Sequence, residues 1–313
     1  MTQHSSATAS GAGLLSRAGL LWGLAGVTAF SFTVPLTRVA VTGGLSPLFV
    51  GCGRAVVAAA LAAVALAATG QRLPQGRQWI RLAVIAAGVV VGFPVLTSYA
   101  LTTASAGHSA VVIALLPAAT AATAVVRERQ PVRPMFWVVA GLGAAVAVGF
   151  AAVQGGQLTG LQWSDLLLLG AVVAAAVGYA EGGLLSRELG AWQTVSWALV
   201  VSVPVTGALA ALAWWQQPSA AGASEWAAFG YLAVVSMYLG FFAWYRGLAI
   251  GPMSGVSQVQ LIQPVLTICW AAIILREGLT WPVLVGGAAV IVCATVAVRT
   301  RMSPTVRQEE FSK

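Results

Sequence analysis

The stretch LPAATAATAVVRE, residues 116–128, carries the plan of the chain: a proline near its start (Pro117), an apolar run, and an Arg-Glu pair at its end (Arg127, Glu128). A second stretch, QPVLTICWAAIILRE, residues 263–277, has the same order, with Pro264 leading to Arg276 and Glu277. Each is followed by another proline (Pro134, Pro282) and a small-residue segment, in which Gly143-Ala-Ala-Val is matched by Gly287-Ala-Ala-Val. Upstream, Leu101 is matched by Leu248, and all these pairs lie 144 to 149 residues apart. The chain therefore reads as one unit written twice.

Outward from these stretches the whole sequence divides into apolar segments at about 18–41, 46–68, 79–101, 106–126, 134–153, 163–184, 191–214, 226–249, 253–275 and 281–299. Each has the roughly 20 residues that a helix needs to cross about 30 Å of hydrocarbon. Ten transmembrane helices are expected. Five per copy is an odd number, so the second copy enters the membrane from the opposite side. The expected fold is an all-α membrane protein of two inverted five-helix repeats, 18–153 and 163–299, around a central cavity. Residues 1–17, rich in Ser, Ala and Gly, and residues 300–313 are read as cytoplasmic tails, the first disordered.

Composition agrees: 59% of the 313 residues are hydrophobic and 8% are charged, against about 25% charged in soluble domains. The net charge of +8 would suggest nucleic acid if the bases clustered on an exposed domain. They lie in short gaps between apolar runs instead, where they set orientation. With the N-terminus inside, 13 of the 16 bases are cytoplasmic; Arg38 and Arg276 fall outside, and Arg54 lies within helix 2. Trp residues such as Trp22, Trp79, Trp137, Trp163, Trp215 and Trp281 sit near helix ends as an aromatic belt. Cys52, Cys269 and Cys293 fall singly in apolar runs, without metal or redox spacing.

No metal-ligand spacing, GxSxG elbow or Gly-rich phosphate loop is present, so neither a catalytic pair, a metal nor a cofactor is expected. Three ionisable groups lie within helices: Arg54, Glu181 and Arg246. Arg54 either bonds helix-end carbonyls or meets a substrate carboxylate; Glu181 is either solvated at the interface or couples transport to protons; Arg246 snorkels. Tyr231, Tyr238 and Tyr245 recur at i, i+7 and i+14 on helix 8, a stripe that fits either a wet cavity wall or a helix contact. Tyr99 and Tyr179 are the other two tyrosines. On helix 9, Gln260, Gln263, Thr267 and Trp270 share one face, beside Pro264, which frees a backbone carbonyl and permits a kink. Pro117 does the same on helix 4, with His108 at its outer end. The candidate cavity lining is Tyr99, His108, Trp163, Tyr179, Tyr238, Tyr245, Gln260 and Gln263, with Pro117 and Pro264 as gating kinks. Gly19xxxGly23, Gly88xxxGly92 and Gly178xxxGly182 mark close helix contacts.

Trp22-Gly23 opening helix 1, Arg54 in helix 2, and the paired stretches from Pro117 to Glu128 and from Pro264 to Glu277 resemble the drug/metabolite transporter superfamily, in its EamA-type bacterial branch. The likeness covers about residues 18–299. One departure is the spacing, ten residues between Pro117 and Glu128 against twelve between Pro264 and Glu277, which leaves the register of helices 4 and 9 open. The resemblance implies a ten-helix basket with both termini cytoplasmic and a cavity lined by helices 3, 4, 8 and 9 with 1 and 6. It also implies export of amino acids or related metabolites from the bacterial inner membrane.

The expected function is thus alternating-access export of small amphipathic solutes, aromatic or neutral amino acids above all, by facilitated diffusion or exchange. Helix 1 has no acid, which weighs against the alternative, proton-coupled drug or metabolite efflux. A non-transporting scaffold is the alternative of another class. The partners expected are a small-molecule substrate and the lipid bilayer, with no nucleic acid, and the chain is read as a monomer.

Overall fold

A computed structural model of the chain describes residues 5–129, 134–154, 157–158, 161–250 and 259–302. Eight helices among them are long and apolar enough to cross a membrane: α1 (Ala18–Thr42), α2 (Pro47–Ala68), α3 (Gln78–Ala100), α4 (Ala106–Glu128), α5 (Pro134–Ala152), α6 (Trp163–Leu189), α7 (Ala191–Gln216) and α8 (Ala223–Gly247). Two shorter apolar helices follow, α9 (Gln260–Ile274) and α10 (Trp281–Ala297). Helix continues from α10 as far as Met302. The start expected for helix 9, at residues 253–258, and the C-terminal tail beyond 302 lie outside the described residues. A two-residue antiparallel pair, Val153–Gln154 with Gln157–Leu158, follows α5. Helix also runs back from α1 to Ser5, into the stretch read as a disordered tail.

The helices pair as α2 on α7, α1 on α8, α3 on α6, α4 on α6, α1 on α9, α5 on α10, and α4 on α9. Exchanging every helix with the one five places away maps this set onto itself. The tightest backbone-to-backbone approaches between helices obey the same exchange. A Cβ at Gly88 of α3 would lie 2.3 Å from the Ala174 carbonyl of α6, and one at Gly247 of α8 would lie 2.6 Å from the Gly23 nitrogen of α1. Small residues there let backbones touch, as packing within a membrane requires.

Proline places the interruptions. Pro35 lacks the N–H that would bond the Ser31 carbonyl, and α1 is broken at Phe32 between helical stretches Ser5–Ser31 and Thr33–Thr42. In α4 the helix breaks at Ala114 and Leu115 and resumes at Leu116, beside Pro117. In α9 a 3-10 turn, Gln260–Ile262, gives way to α-helix at Gln263, beside Pro264. Both α3 and α8 carry a π-helical stretch, Ala86–Gly92 and Tyr231–Leu239. These end in i→i−5 bonds, Phe93 N–H to Gly88 O and Gly240 N–H to Val235 O. The two bonds are 147 residues apart, the separation of Pro117 and Pro264.

The same separation resolves the register of α4 and α9. Among the described residues, Arg129 (φ 52°) and Arg276 (φ 54°) are the non-glycine residues with left-handed backbone, and each follows its proline by twelve positions. The helices therefore match residue for residue, and the acid moved: Glu128 precedes its left-handed residue, whereas Glu277 follows its own.

The apolar core has two main parts. One joins the end of the molecule that holds His108, including Leu45, Leu101, Val111, Phe150 and Leu168. The other joins the opposite end, including Ala58, Ile85, Leu185 and Leu199.

Candidate functional site

Polar groups gather where α1 is broken. The Ser31 carbonyl, released by Pro35, accepts the Thr267 hydroxyl of α9 at 3.0 Å. Trp270 Nε1 donates to Ser31 Oγ at 3.0 Å, and the Trp270 ring stacks on Phe32 with centroids 4.3 Å apart. From α8, Tyr231 Oη donates to the Ala29 carbonyl at 3.1 Å, and Ser236 Oγ lies 2.7 Å from Thr33 Oγ1. Half of the polar face expected on α9, Thr267 and Trp270, thus binds the broken α1. Gln260 and Gln263, one to two turns away, are half-buried.

A second group of aromatic rings lies towards the Glu181 end. Phe241 packs on Phe30 at 4.9 Å, on Tyr179 at 6.0 Å and on Tyr245 at 6.0 Å. Tyr245 is buried, and Tyr179 and Tyr238 are half-buried against the same core. The tyrosine stripe of α8 is therefore divided: Tyr231 serves the α1 break, while Tyr245 joins Tyr179 of α6. Tyr99 and Trp163 stand elsewhere, 43% and 73% exposed near the His108 end. Arg246 lies over the Trp22 ring, 5.5 Å from its centroid, at the far end of α8.

Charged side chains tie helix ends. Glu181 of α6 is buried and accepts from Arg81 of α3 and, at 2.8 Å, from Arg127 Nε of α4. Arg81 also bonds Glu188, and Arg187 Nη1 lies 3.6 Å from Glu128 Oε1. Three helices are joined at this end by groups drawn from both halves of the sequence.

At the opposite end three helices hold the connection between α3 and α4. Arg38 of α1 donates to the carbonyls of Leu101 and Ala104 at 2.6 and 2.8 Å. Glu277, after α9, accepts the N–H groups of Ala106 and Gly107, each at 2.8 Å, satisfying the first turn of α4. His108 Nε2 lies 2.7 Å from Asp165 Oδ1 of α6, and its ring stacks on Phe150 at 4.9 Å. Asp165 Oδ2 accepts from the Gln162 N–H at 2.9 Å, closing a capping box at the start of α6. Beside this corner lies a cleft of about 270 Å³ lined by Ser105, Gly107, Ala271, Glu277 and Val283.

Asp165 and Arg81 were not among the residues singled out from the sequence, and Arg127 marked only the repeat, not an ion pair. The spacing of Gln162 and Asp165 signals a cap, but the charged partners of Asp165, Arg81 and Arg127 lie 54 to 107 residues away. Arg54 stands apart: it is 1% exposed, and its Nε and Nη2 have no hydrogen-bond partner. Among the described residues no group of three or more His, Cys, Asp or Glu side chains could hold a metal ion.

Eight helices of spanning length, with charges paired at their ends and polar contacts sheltered between them, define a multi-pass α-helical membrane protein. The EamA-like transporter family matches the chain twice, over residues 17–151 and 162–299, and the chain belongs to that family of membrane transporters. It is a transporter rather than an enzyme. An uncharacterized transporter of Bacillus subtilis (strain 168), YdeK, is 41% identical over 281 residues, which span 90% of this chain and 97% of that protein. A crystal structure of a protein 21% identical shares the fold, with a TM-score of 0.61 over 90% of this chain and 98% of its own.

Proposed function

We propose that the protein exports small amphipathic metabolites, amino acids of the aromatic or neutral type above all, by alternating access between two inverted five-helix halves, 18–153 and 163–299. The observation that carries this reading is the correspondence of irregularities. The terminal π-type bonds of α3 and α8, the prolines of α4 and α9 and the left-handed Arg129 and Arg276 all recur at 147 residues. Interrupted helices in corresponding places of two halves are where transporters of inverted-repeat design bind and move solutes.

The lining proposed is the half-buried set Tyr179, Tyr238, Gln260 and Gln263, with Tyr99, His108, Trp163 and Tyr245. Aromatic rings and amides suit an apolar side chain beside a polar backbone. The bases favour an inner-membrane protein with both termini cytoplasmic, so that the Glu181 end faces the cytoplasm. Glu181 is held by two arginines, which supports a structural role and hence facilitated diffusion or exchange. Uptake of each of the twenty amino acids into proteoliposomes tests the proposal; movement of none of them sinks the substrate class.

A second reading, proton-coupled efflux, has one observation in its favour, the buried His108–Asp165 pair. A Glu181→Gln protein that folds normally but loses dependence on a pH gradient would favour coupling through Glu181 instead.

A further inference from the structure

The guanidinium of Arg54 is the largest fully buried side chain among the described residues. It lies seven residues from the start of α2 at Pro47, about 10 Å along the helix at 1.5 Å per residue. Its neighbours in sequence pack inward, with Gly53 against Phe229 of α8 and Gly51 against Val95 of α3. Arginine keeps its charge in proteins, so such a group needs an anion, a set of hydrogen bonds, or both.

Among the described residues no acid pairs with Arg54. Of the chain's eight acids, Glu309 and Glu310 follow the last helix in the sequence, outside the described residues. The other six are engaged elsewhere. Glu128 meets Arg187, Asp165 meets His108, Glu181 and Glu188 meet Arg81, Glu225 meets Ser224, and Glu277 caps α4. Two nitrogens of Arg54 also lack hydrogen bonds, and in a telling place. Nε and Nη2 form the side-on edge of the guanidinium, and both are buried and unpartnered. That edge presents two parallel N–H groups at the spacing of the two oxygens of a carboxylate. Thr37 Oγ1 of α1, also buried and unpartnered, lies at a similar depth, five residues from the end of its helix.

Resting on the transporter reading above, we infer that Arg54 is the anchor for the carboxylate of a small solute, taken bidentately on Nε and Nη2. The substrate class narrows accordingly to carboxylates, and an amino acid is recognised at its carboxylate end by α2. The aromatic and amide groups then discriminate the remainder.

The test uses the full chain in nanodiscs of zwitterionic lipid, read by thermal unfolding, with acetate and acetamide, and L-leucine and L-leucinamide, as matched probes. Wild type is expected to be stabilised by acetate and L-leucine and not by either amide. Arg54→Lys keeps the charge without the fork and is expected to raise the concentration needed at least tenfold. Arg54→Met is expected to abolish the response while melting, ligand-free, at or above the wild-type temperature, because an unpaired charge has been removed. Equal responses to acid and amide overturn the inference. So does an Arg54→Met protein that still responds, or one that melts well below wild type, since either makes the guanidinium a structural donor. If anionic lipid alone stabilises wild type and removes the effect of acetate, the anion is a headgroup and the solute assignment falls. Transport of leucinamide at the rate of leucine would leave the transporter reading standing and remove only the role of Arg54.

Discussion

His108 of α4 and Asp165 of α6 meet through a 2.7 Å contact between Nε2 and Oδ1, with the carboxylate fully buried and the imidazole nearly so. The contact joins the two halves of the sequence at one end of the molecule. Asp165 also accepts the Gln162 N–H, so one side chain secures both a helix start and an interhelical pair. Removing it strands the buried His108 donor and leaves the Gln162 N–H at the helix start without its acceptor. We predict that Asp165→Ala lowers stability by about 3 kcal/mol and Asp165→Asn, which keeps an acceptor, by about 1 kcal/mol. Equilibrium unfolding in mixed micelles measures both; equal losses would show that the charge of the pair, not the acceptor at the cap, is what matters.

Glu181 sits between Arg81 and Arg127, with the carboxylate 7% exposed and Arg127 55% exposed. Glu181→Gln removes the charge that holds α3 and α4 to α6 at this end. The expected result is severalfold faster labelling of a Ser186→Cys reporter by a water-soluble maleimide. Salt separates the contributions: 1 M NaCl is expected to loosen the more exposed Arg187–Glu128 pair while leaving Glu181 and Arg81 joined.

Gly88 leaves no room for a methyl group, since a Cβ there would approach the Ala174 carbonyl to 2.3 Å. Gly88→Ala must separate α3 from α6, at a cost of about 1–3 kcal/mol. Gly141 of α5 has nothing within 4 Å of the same position, and Gly141→Ala is expected to be neutral or to stabilise by about 0.5–1 kcal/mol. Melting temperatures of the two variants moving in the same direction would refute the packing argument.

Thr267 serves the carbonyl that Pro35 releases at Ser31. Thr267→Val preserves shape and removes the donor, and is expected to cost about 1 kcal/mol, with Thr267→Ser near wild type. A loss from Thr267→Ser as large as that from Thr267→Val would assign the effect to the methyl group instead.

The apolar segments, their ends and the paired prolines were legible in the sequence, because spanning length and the missing N–H of proline are local properties that need no neighbour. Pro117 and Pro264 announce the breaks in α4 and α9, and Gly88 and Gly178 the closeness of α3 and α6. Glu128 and Glu277, by contrast, misalign the two copies by two residues, and only the left-handed backbone at Arg129 and Arg276 sets the register. The π-helical stretches left no mark either, since one extra residue in a turn scarcely alters an almost uniformly apolar segment.

What the sequence determined by itself was therefore the inventory: membrane-spanning helices, the proline interruptions of α4 and α9, and how few ionisable groups lie among them. What only the tertiary structure decided was the partners of those groups. Asp165 meets His108, Glu181 meets Arg81 and Arg127, and Arg54 meets no acid among the described residues. The reason is physical. Burying a charge sets its energy by what stands within a few ångströms, and across a folded membrane protein those neighbours come from helices a hundred residues apart in the chain.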